Sequence, residues 1–214
     1  MIDKFDHNGF VIEIDTDDFS DSPRDWDNLG TIIAFHSRYN LGDEGKFNDP
    51  DDAMINLIAK CDATRYEYYQ HRLEYSGKSR KDLHQEIIEH LEKFGLVILP
   101  VYMYDHGGIT INTIGFGCPW DSGQLGWIYV TKETWKKEFG WKRLTQLRRE
   151  QLLASLRNEI DTYDKFLRND TYAYRIYDQD ENMIDNCCGF YDEDECINEA
   201  MENCPKSLKI HNVK

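Results

Sequence analysis

The run Leu96-Val97-Ile98-Leu99-Pro100-Val101-Tyr102-Met103-Tyr104, then Asp105-His106-Gly107-Gly108, then Ile109-Thr110-Ile111-Asn112-Thr113, decides the class of fold. Its β-branched and aromatic residues pack well on a pleated surface and lose side-chain freedom in a helix, so both apolar runs read as strands. The four residues between them, two of them glycine, read as a hairpin loop. A third run, Gly126-Trp127-Ile128-Tyr129-Val130, extends the pattern to an antiparallel meander. A sheet this apolar needs helices to cover it, and the flanking sequence supplies them. The expected class is α+β, an antiparallel sheet with packed helices.

Toward the N-terminus, Asn48-Asp49-Pro50-Asp51-Asp52 combines a capping residue, a first-turn proline and acids that complement the helix dipole. Ala53, Met54, Leu57, Ile58 and Cys61 follow at helical spacing, which predicts a helix to about Tyr75, ended by Gly77. Ser79 caps a second helix carrying Leu83, Ile87, Ile88 and Leu91 and stopping at Gly95. Further upstream, Thr31 to His36 reads as a buried strand and Gly9 to Ile14 as another, with an acidic loop from Asp15 to Asp27 between them.

Toward the C-terminus, Thr131 caps a short helix to Phe139, Gly140 stops it, and Thr145 to about Arg168 forms the longest helix. Two strands, Thr171 to Tyr177 and Met183 to Phe190, precede a helix from about Asp192 to Asn203, giving a ββα unit. The expected division is a main domain over 1–140, a connecting helix over 141–170 and a C-terminal ββα subdomain over 171–214.

A chain of 214 residues buries roughly 70% of its unfolded surface, enough for a core without staples. Lys+Arg 25 against Asp+Glu 40 gives a net charge of −15, a field that repels phosphate backbones and argues against direct nucleic-acid binding. No run approaches the length of a membrane span, and the opening residues lack a basic segment followed by an apolar one, so a cytoplasmic protein without membrane contact is expected. The six cysteines (Cys61, Cys118, Cys187, Cys188, Cys196, Cys204) match no zinc spacing and read as reduced, buried or half-buried thiols. No metal and no cofactor is expected.

Charge is uneven along the chain. Residues 1–30 hold nine acids and two bases, and residues 171–204 hold ten acids and one base. Thr131 to Arg157 holds eight bases and three acids. The acidic ends nominate Asp15, Asp17, Asp18 and Asp21, with Asp192, Glu193, Asp194 and Glu195, as a surface for a basic protein partner. A calcium loop at Asp15 to Asp21 is not supported, because the glycine at its sixth position and the terminal bidentate glutamate are missing.

The segment from Tyr102 to Trp127 gathers Asp105, His106, Cys118, Asp121, Ser122 and Gln124 among six glycines. A nucleophilic thiol needs an imidazole base, and that base needs an orienting carboxylate. Cys118 with His106 or His36, and Asp105 or Asp121, could fill those roles in a Cys-dependent hydrolase or transferase. The plain alternative is a tight turn region with an inert Cys118 and with Trp120 and Trp127 in the core. No phosphate loop and no GxSxG elbow occurs.

The blocks Tyr104-Asp105-His106-Gly107-Gly108-Ile109-Thr110-Ile111 and Cys118-Pro119-Trp120-Asp121-Ser122-Gly123-Gln124, with Phe35-His36-Ser37-Arg38-Tyr39-Asn40-Leu41-Gly42-Asp43, resemble an uncharacterised family of small acidic proteins carried by bacteriophages and bacterial mobile elements. The resemblance covers most of the chain. It implies an inhibitor of a host defence nuclease, of the anti-restriction or anti-CRISPR type, whose partner is a host protein with a basic nucleic-acid-binding groove. It carries over no catalytic residue.

Overall fold

The computed structural model describes residues 1–45 and 47–206, so residues 207–214 of the expected C-terminal unit lie outside the described residues. In chain order the elements are β1 (Asp3–His7), β2 (Phe10–Thr16), β3 (Thr31–Ala34), α1 (Pro50–Cys61), α2 (Tyr66–Tyr75), α3 (Arg80–Lys93), β4 (Val97–Asp105), β5 (Ile109–Asn112), β6 (Ser122–Val130), α4 (Lys132–Phe139), α5 (Gln146–Leu167), β7 (Tyr172–Tyr177), β8 (Met183–Phe190) and α6 (Glu193–Asn203). The class is α+β, with two antiparallel sheets. Among the described residues no helix is long and apolar enough to cross a membrane.

The caps read from the sequence at the starts of α1, α3 and α4 are made, and Asp192 supplies a further one at α6. Asp49 accepts from the amides of Asp51 and Asp52 at 2.8 and 3.0 Å, Ser79 from Asp82 at 3.2 Å, Thr131 from Thr134 at 3.2 Å and Asp192 from Glu195 at 3.1 Å. Each such bond is worth about 1 kcal/mol against alanine. The single helix expected as far as Tyr75 is instead two. Asp62 leaves helical geometry at φ −152°, and a 3-10 turn over Ala63–Arg65 leads into α2. The reason is the Asp62 carboxylate, which accepts from Thr64 Oγ1 at 2.5 Å and from His90 Nε2 at 2.9 Å. Those bonds, Thr64 first, hold its carboxyl below the ordinary aspartate range.

The chain divides into two units, residues 26–161 and residues 1–25 with 162–214. This corrects the expected boundaries at 140 and 170, and the physical reason is strand pairing. β2 pairs antiparallel with β7, Ile12 opposite Ile176, so the N-terminal hairpin belongs with the C-terminal strands. What looked like a separate ββα subdomain is half of a four-stranded sheet.

In residues 26–161 the sheet order is β3-β6-β4-β5. The expected meander would have set β6 beside β5. Instead β6 pairs with β4 and β3, because Leu125 to Val130 are all buried and a strand buried that fully needs a neighbour on each side. β5 has four residues and takes the edge, where a short strand presents few unpaired backbone groups. On one face α1, α2 and α3 deliver Met54, Leu57, Ile58, Leu73, Ile87 and Leu91 against Ile33, Ile98, Trp127 and Tyr129. Beside Gly30, Leu156 of α5 and Ile128 of β6 come so close that a Cβ there would sit 2.5 and 2.8 Å from them. Glu159 of α5 accepts from the amides of Leu29 and Gly30 at 2.9 and 3.1 Å, fixing how the chain enters β3.

In residues 1–25 with 162–214 the order is β1-β2-β7-β8, with α6 on one face. Asn8 and Gly9 adopt φ 56° and 84°, the left-handed pair of a tight two-residue hairpin, and join β1 to β2. Phe10, Ile12, Ile14, Tyr174 and Ile176 alternate onto the helix side and meet Cys196, Ala200 and Cys204. The opposite side is laced by ion pairs, Lys4 with Glu13 at 2.7 Å and Arg175 with Asp15 at 3.7 Å.

Candidate functional site

Strand direction explains what gathers at one end of the larger sheet. β3 and β4 both run antiparallel to β6 and therefore parallel to each other, so the chain leaving β3, the end of β4 and the start of β6 come together. These bring His36, Arg38, Asp105, Trp120, Asp121 and Gln124 around a cleft of about 250 Å³. The Asp105 amide donates to Asp121 O at 2.9 Å, tying two of the three segments by backbone. The Asp105 carboxylate accepts from Arg38 Nη2 at 2.9 Å and from Tyr39 Oη at 3.1 Å, tying the third. The His36 ring stacks on Tyr39 with centroids 5.2 Å apart, and its Nδ1 accepts from the amides of Arg38 and Tyr39 at 3.4 Å each. That pattern makes Nδ1 the acceptor and puts the proton of a neutral ring on Nε2.

Cys118, His106 and Asp121 are brought together, but in an order unsuited to a nucleophilic thiol. Asp121 Oδ2 lies 3.3 Å from His106 Nδ1 and accepts from Cys118 Sγ at 3.8 Å. The carboxylate therefore stands between thiol and imidazole, where a Cys–His pair needs the imidazole on the sulfur. Asp105 is held by Arg38 and Tyr39 rather than orienting an imidazole, and the His106 side chain is 71% exposed. Trp120, which the plain reading put in the core with Trp127, is 91% exposed at the rim of the cleft, while Trp127 is buried. Arg38 and Tyr39 stand in the block from Phe35 to Asp43, but the sequence gives them no role at the site. Their signal is three-dimensional, since they reach Asp105 only because β3 and β4 flank β6 in parallel.

The eight acids nominated as a binding surface fall in one unit, but they are not alike. Asp17 is buried, which removes it from any surface. Its Oδ1 accepts from Phe19 N at 3.2 Å and its Oδ2 from Gly189 N at 3.0 Å. Asp15 is ion-paired to the Met1 amino group at 2.6 Å. Asp192 caps α6 and faces Lys165 at 3.9 Å, with Glu193, Asp194 and Glu195 in the first turn of that helix. Asp18, Asp21, Asp194 and Glu195 are exposed. The acidic stretches meet, because Tyr191 Oη donates to Asp21 O at 3.2 Å and Gly189 bonds Asp17.

Among the described residues no group of three or more His, Cys, Asp or Glu side chains is placed to hold a metal ion. All six cysteines are free, and Cys187 and Cys188 are exposed on β8 rather than packed away as expected, because β8 is an edge strand. Burial pushes the Cys196 thiol up to about 12, and burial with the nearby Asp17 charge raises Cys188. Iodoacetamide mapping at neutral pH is expected to label Cys187 first, to label Cys118 no faster than free cysteine, and to leave Cys196 slower by roughly a thousandfold, since the thiolate is the reacting form. A Cys118 that outpaced free cysteine would restore the thiol-enzyme reading. Comparison of the chain with protein-family models, with curated proteins and with solved structures finds no match.

Proposed function

We propose that this is an acidic binding protein whose smaller unit occupies the basic nucleic-acid-binding groove of a host protein, and that the host protein is a defence nuclease of the restriction or CRISPR type. One observation carries the reading. Residues 1–25 with 162–214 hold 20 acids against 8 bases, a net of −12, while residues 26–161 hold 20 against 17, a net of −3. Two acidic stretches at opposite ends of the chain thus belong to one folded unit. Like charges about 7 Å apart in water repel by roughly 0.6 kcal/mol per pair, so gathering them is a running cost that an oppositely charged groove would relieve. Such a field also speeds encounter with a cationic partner and makes association sensitive to salt. The resemblance to phage-borne acidic proteins supplies the biological setting.

The test is DNA cleavage by a panel of purified restriction and RNA-guided nucleases in the presence of the protein. Inhibition that competes with DNA and fades with added salt is expected. Replacing Asp18→Asn, Asp21→Asn, Asp194→Asn and Glu195→Gln together should weaken it by roughly tenfold or more at low salt. These four are exposed, and Asp17 is kept because the unit needs it. Undiminished inhibition by the fourfold variant rejects this surface, and a panel left uninhibited rejects the function.

A further inference from the structure

The larger unit carries a cationic cleft that the acidic reading does not use. Its walls are the end of α3 with the Phe94–Gly95 turn, the start of α4, and the chain entering α5, around a volume of about 440 Å³. Five cations line it, Lys93, Lys132, Lys142, Arg143 and Arg149, against a single carboxylate, Glu92. Glu92 pairs with Arg149, and among the described residues the other four make no ion pair. Three of these four, Lys132, Lys142 and Arg143, come from the basic stretch Thr131 to Arg157, and the fold adds Lys93 from the end of α3 to the same concavity.

The frame of this cleft is built, while the charges are left available. Buried Trp135 donates its indole N–H to Gly95 O at 2.8 Å, bracing the floor. Arg149 also reaches Leu96 O at 3.5 Å. Arg148 lies over the Trp141 ring at 5.0 Å and donates to Arg143 O at 2.9 Å, which holds the loop that carries Lys142 and Arg143. The first turn of α5 contains two arginines and no acid, the reverse of the usual complement to a helix N-terminus, so the helix end adds to the positive potential.

We propose that this cleft binds a compact ligand bearing several phosphate groups. The volume lies within the range of small-molecule sites. A long nucleic acid would extend its charge along a protein of net −15, whereas a short oligophosphate feels chiefly the local cations, because fields are screened within about 8 Å at physiological salt. The shared chemistry is a chain of phosphates, either free or carried by a nucleoside.

Calorimetric titration of the full chain at physiological salt with inorganic tripolyphosphate, with ATP and with a 20-base-pair duplex tests this. One-to-one binding of tripolyphosphate is expected, and ATP tighter than tripolyphosphate would assign a contact to the nucleoside. Lys142→Glu with Arg143→Glu should weaken tripolyphosphate by about tenfold or more, while Lys136→Glu with Lys137→Glu, the same change of charge on α4 outside the lining, should change it by less than about threefold. Lys93→Gln with Lys132→Gln on the other walls should act in the same direction as the first pair, which covers a loop disturbed by charge reversal. The proposal fails if tripolyphosphate does not bind saturably, if the two charge-reversed pairs lose affinity equally, or if the duplex binds more tightly, which would make the face a nucleic-acid surface.

Discussion

Gly126→Ala is expected to destabilise residues 26–161 severely. A Cβ at this position would lie 1.9 Å from Ile33 O, 2.9 Å from Ile33 C and 3.0 Å from Ala34 Cα, all of them backbone atoms of the neighbouring strand. Flexible side chains can yield to such an intrusion, but a paired strand yields only by leaving the sheet. Gly126 sits opposite Ala34 of β3 and Val101 of β4, in the strand that both of the others need. Moving β3 away would open the layer where Ile32, Ile33, Trp127 and Ile128 are at most 4% exposed. A loss above about 4 kcal/mol is expected, a large share of the 5–15 kcal/mol that holds a domain together. Urea unfolding followed by tryptophan fluorescence measures it, with insoluble expression as the extreme outcome. Gly30→Ala is the internal comparison. Its closest contacts are side-chain atoms of Leu156 and Ile128, so a cost nearer about 1–3 kcal/mol is expected. If Gly126→Ala unfolded within about 1 kcal/mol of the natural chain, the register of β3 on β6 would be wrong.

Much of this sheet is visible in the sequence, and its order is not. The runs from Leu96 and from Trp127 announce strands through β-branched and aromatic residues, and Asp49, Ser79 and Thr131 announce helix starts through the chemistry of a side-chain oxygen beside free amides. Those are local properties, and the structure keeps them. Which strand lies beside β4 is decided by burial summed over both faces of β6, and no window of sequence contains that sum. β1 is a different failure. Asn8-Gly9 is a strong hairpin signal, yet Asp3-Lys4-Phe5-Asp6-His7 carries a single core-facing aromatic, Phe5, too little alternation to mark a strand by itself. The candidate site divides in the same way. Residues 102–127 stand out by composition and do converge, but the partners that occupy Asp105, namely Arg38 and Tyr39, lie more than sixty residues away. Asp62 shows the same limit within the helices, since its break of the expected helix depends on His90 from α3.

Asp17→Ala is expected to destabilise the smaller unit by about 2–4 kcal/mol, for reasons unrelated to any partner. Its position in an acidic run, Asp15-Thr16-Asp17-Asp18, makes it look like one more surface charge, yet it is 8% exposed. Its amide donates to Thr171 O and its carbonyl accepts from Thr171 Oγ1, both at 2.8 Å, which closes the end of β2 onto the start of β7. Its carboxylate then reaches the Gly189 amide, in a β8 residue held at φ 83°, and the Phe19 amide. Alanine leaves both amides without their acceptor and removes the carboxylate's tie to Gly189, while the backbone bonds to Thr171 remain. Asp17→Asn keeps one carbonyl oxygen and should cost about half as much, whereas Asp18→Asn and Asp21→Asn, exposed, should stay within about 0.5 kcal/mol. Chemical denaturation of the four variants measures the order, and hydrogen exchange at the Gly189 amide locates the damage. An Asp17→Ala chain as stable as the Asp18→Asn chain would mean that the carboxylate does not hold these strands. The consequence for function is direct. Neutralising Asp15, Asp17, Asp18 and Asp21 as a block would confuse loss of a binding charge with loss of the fold, so only the exposed acids, changed while Asp17 stays, can report on a basic partner.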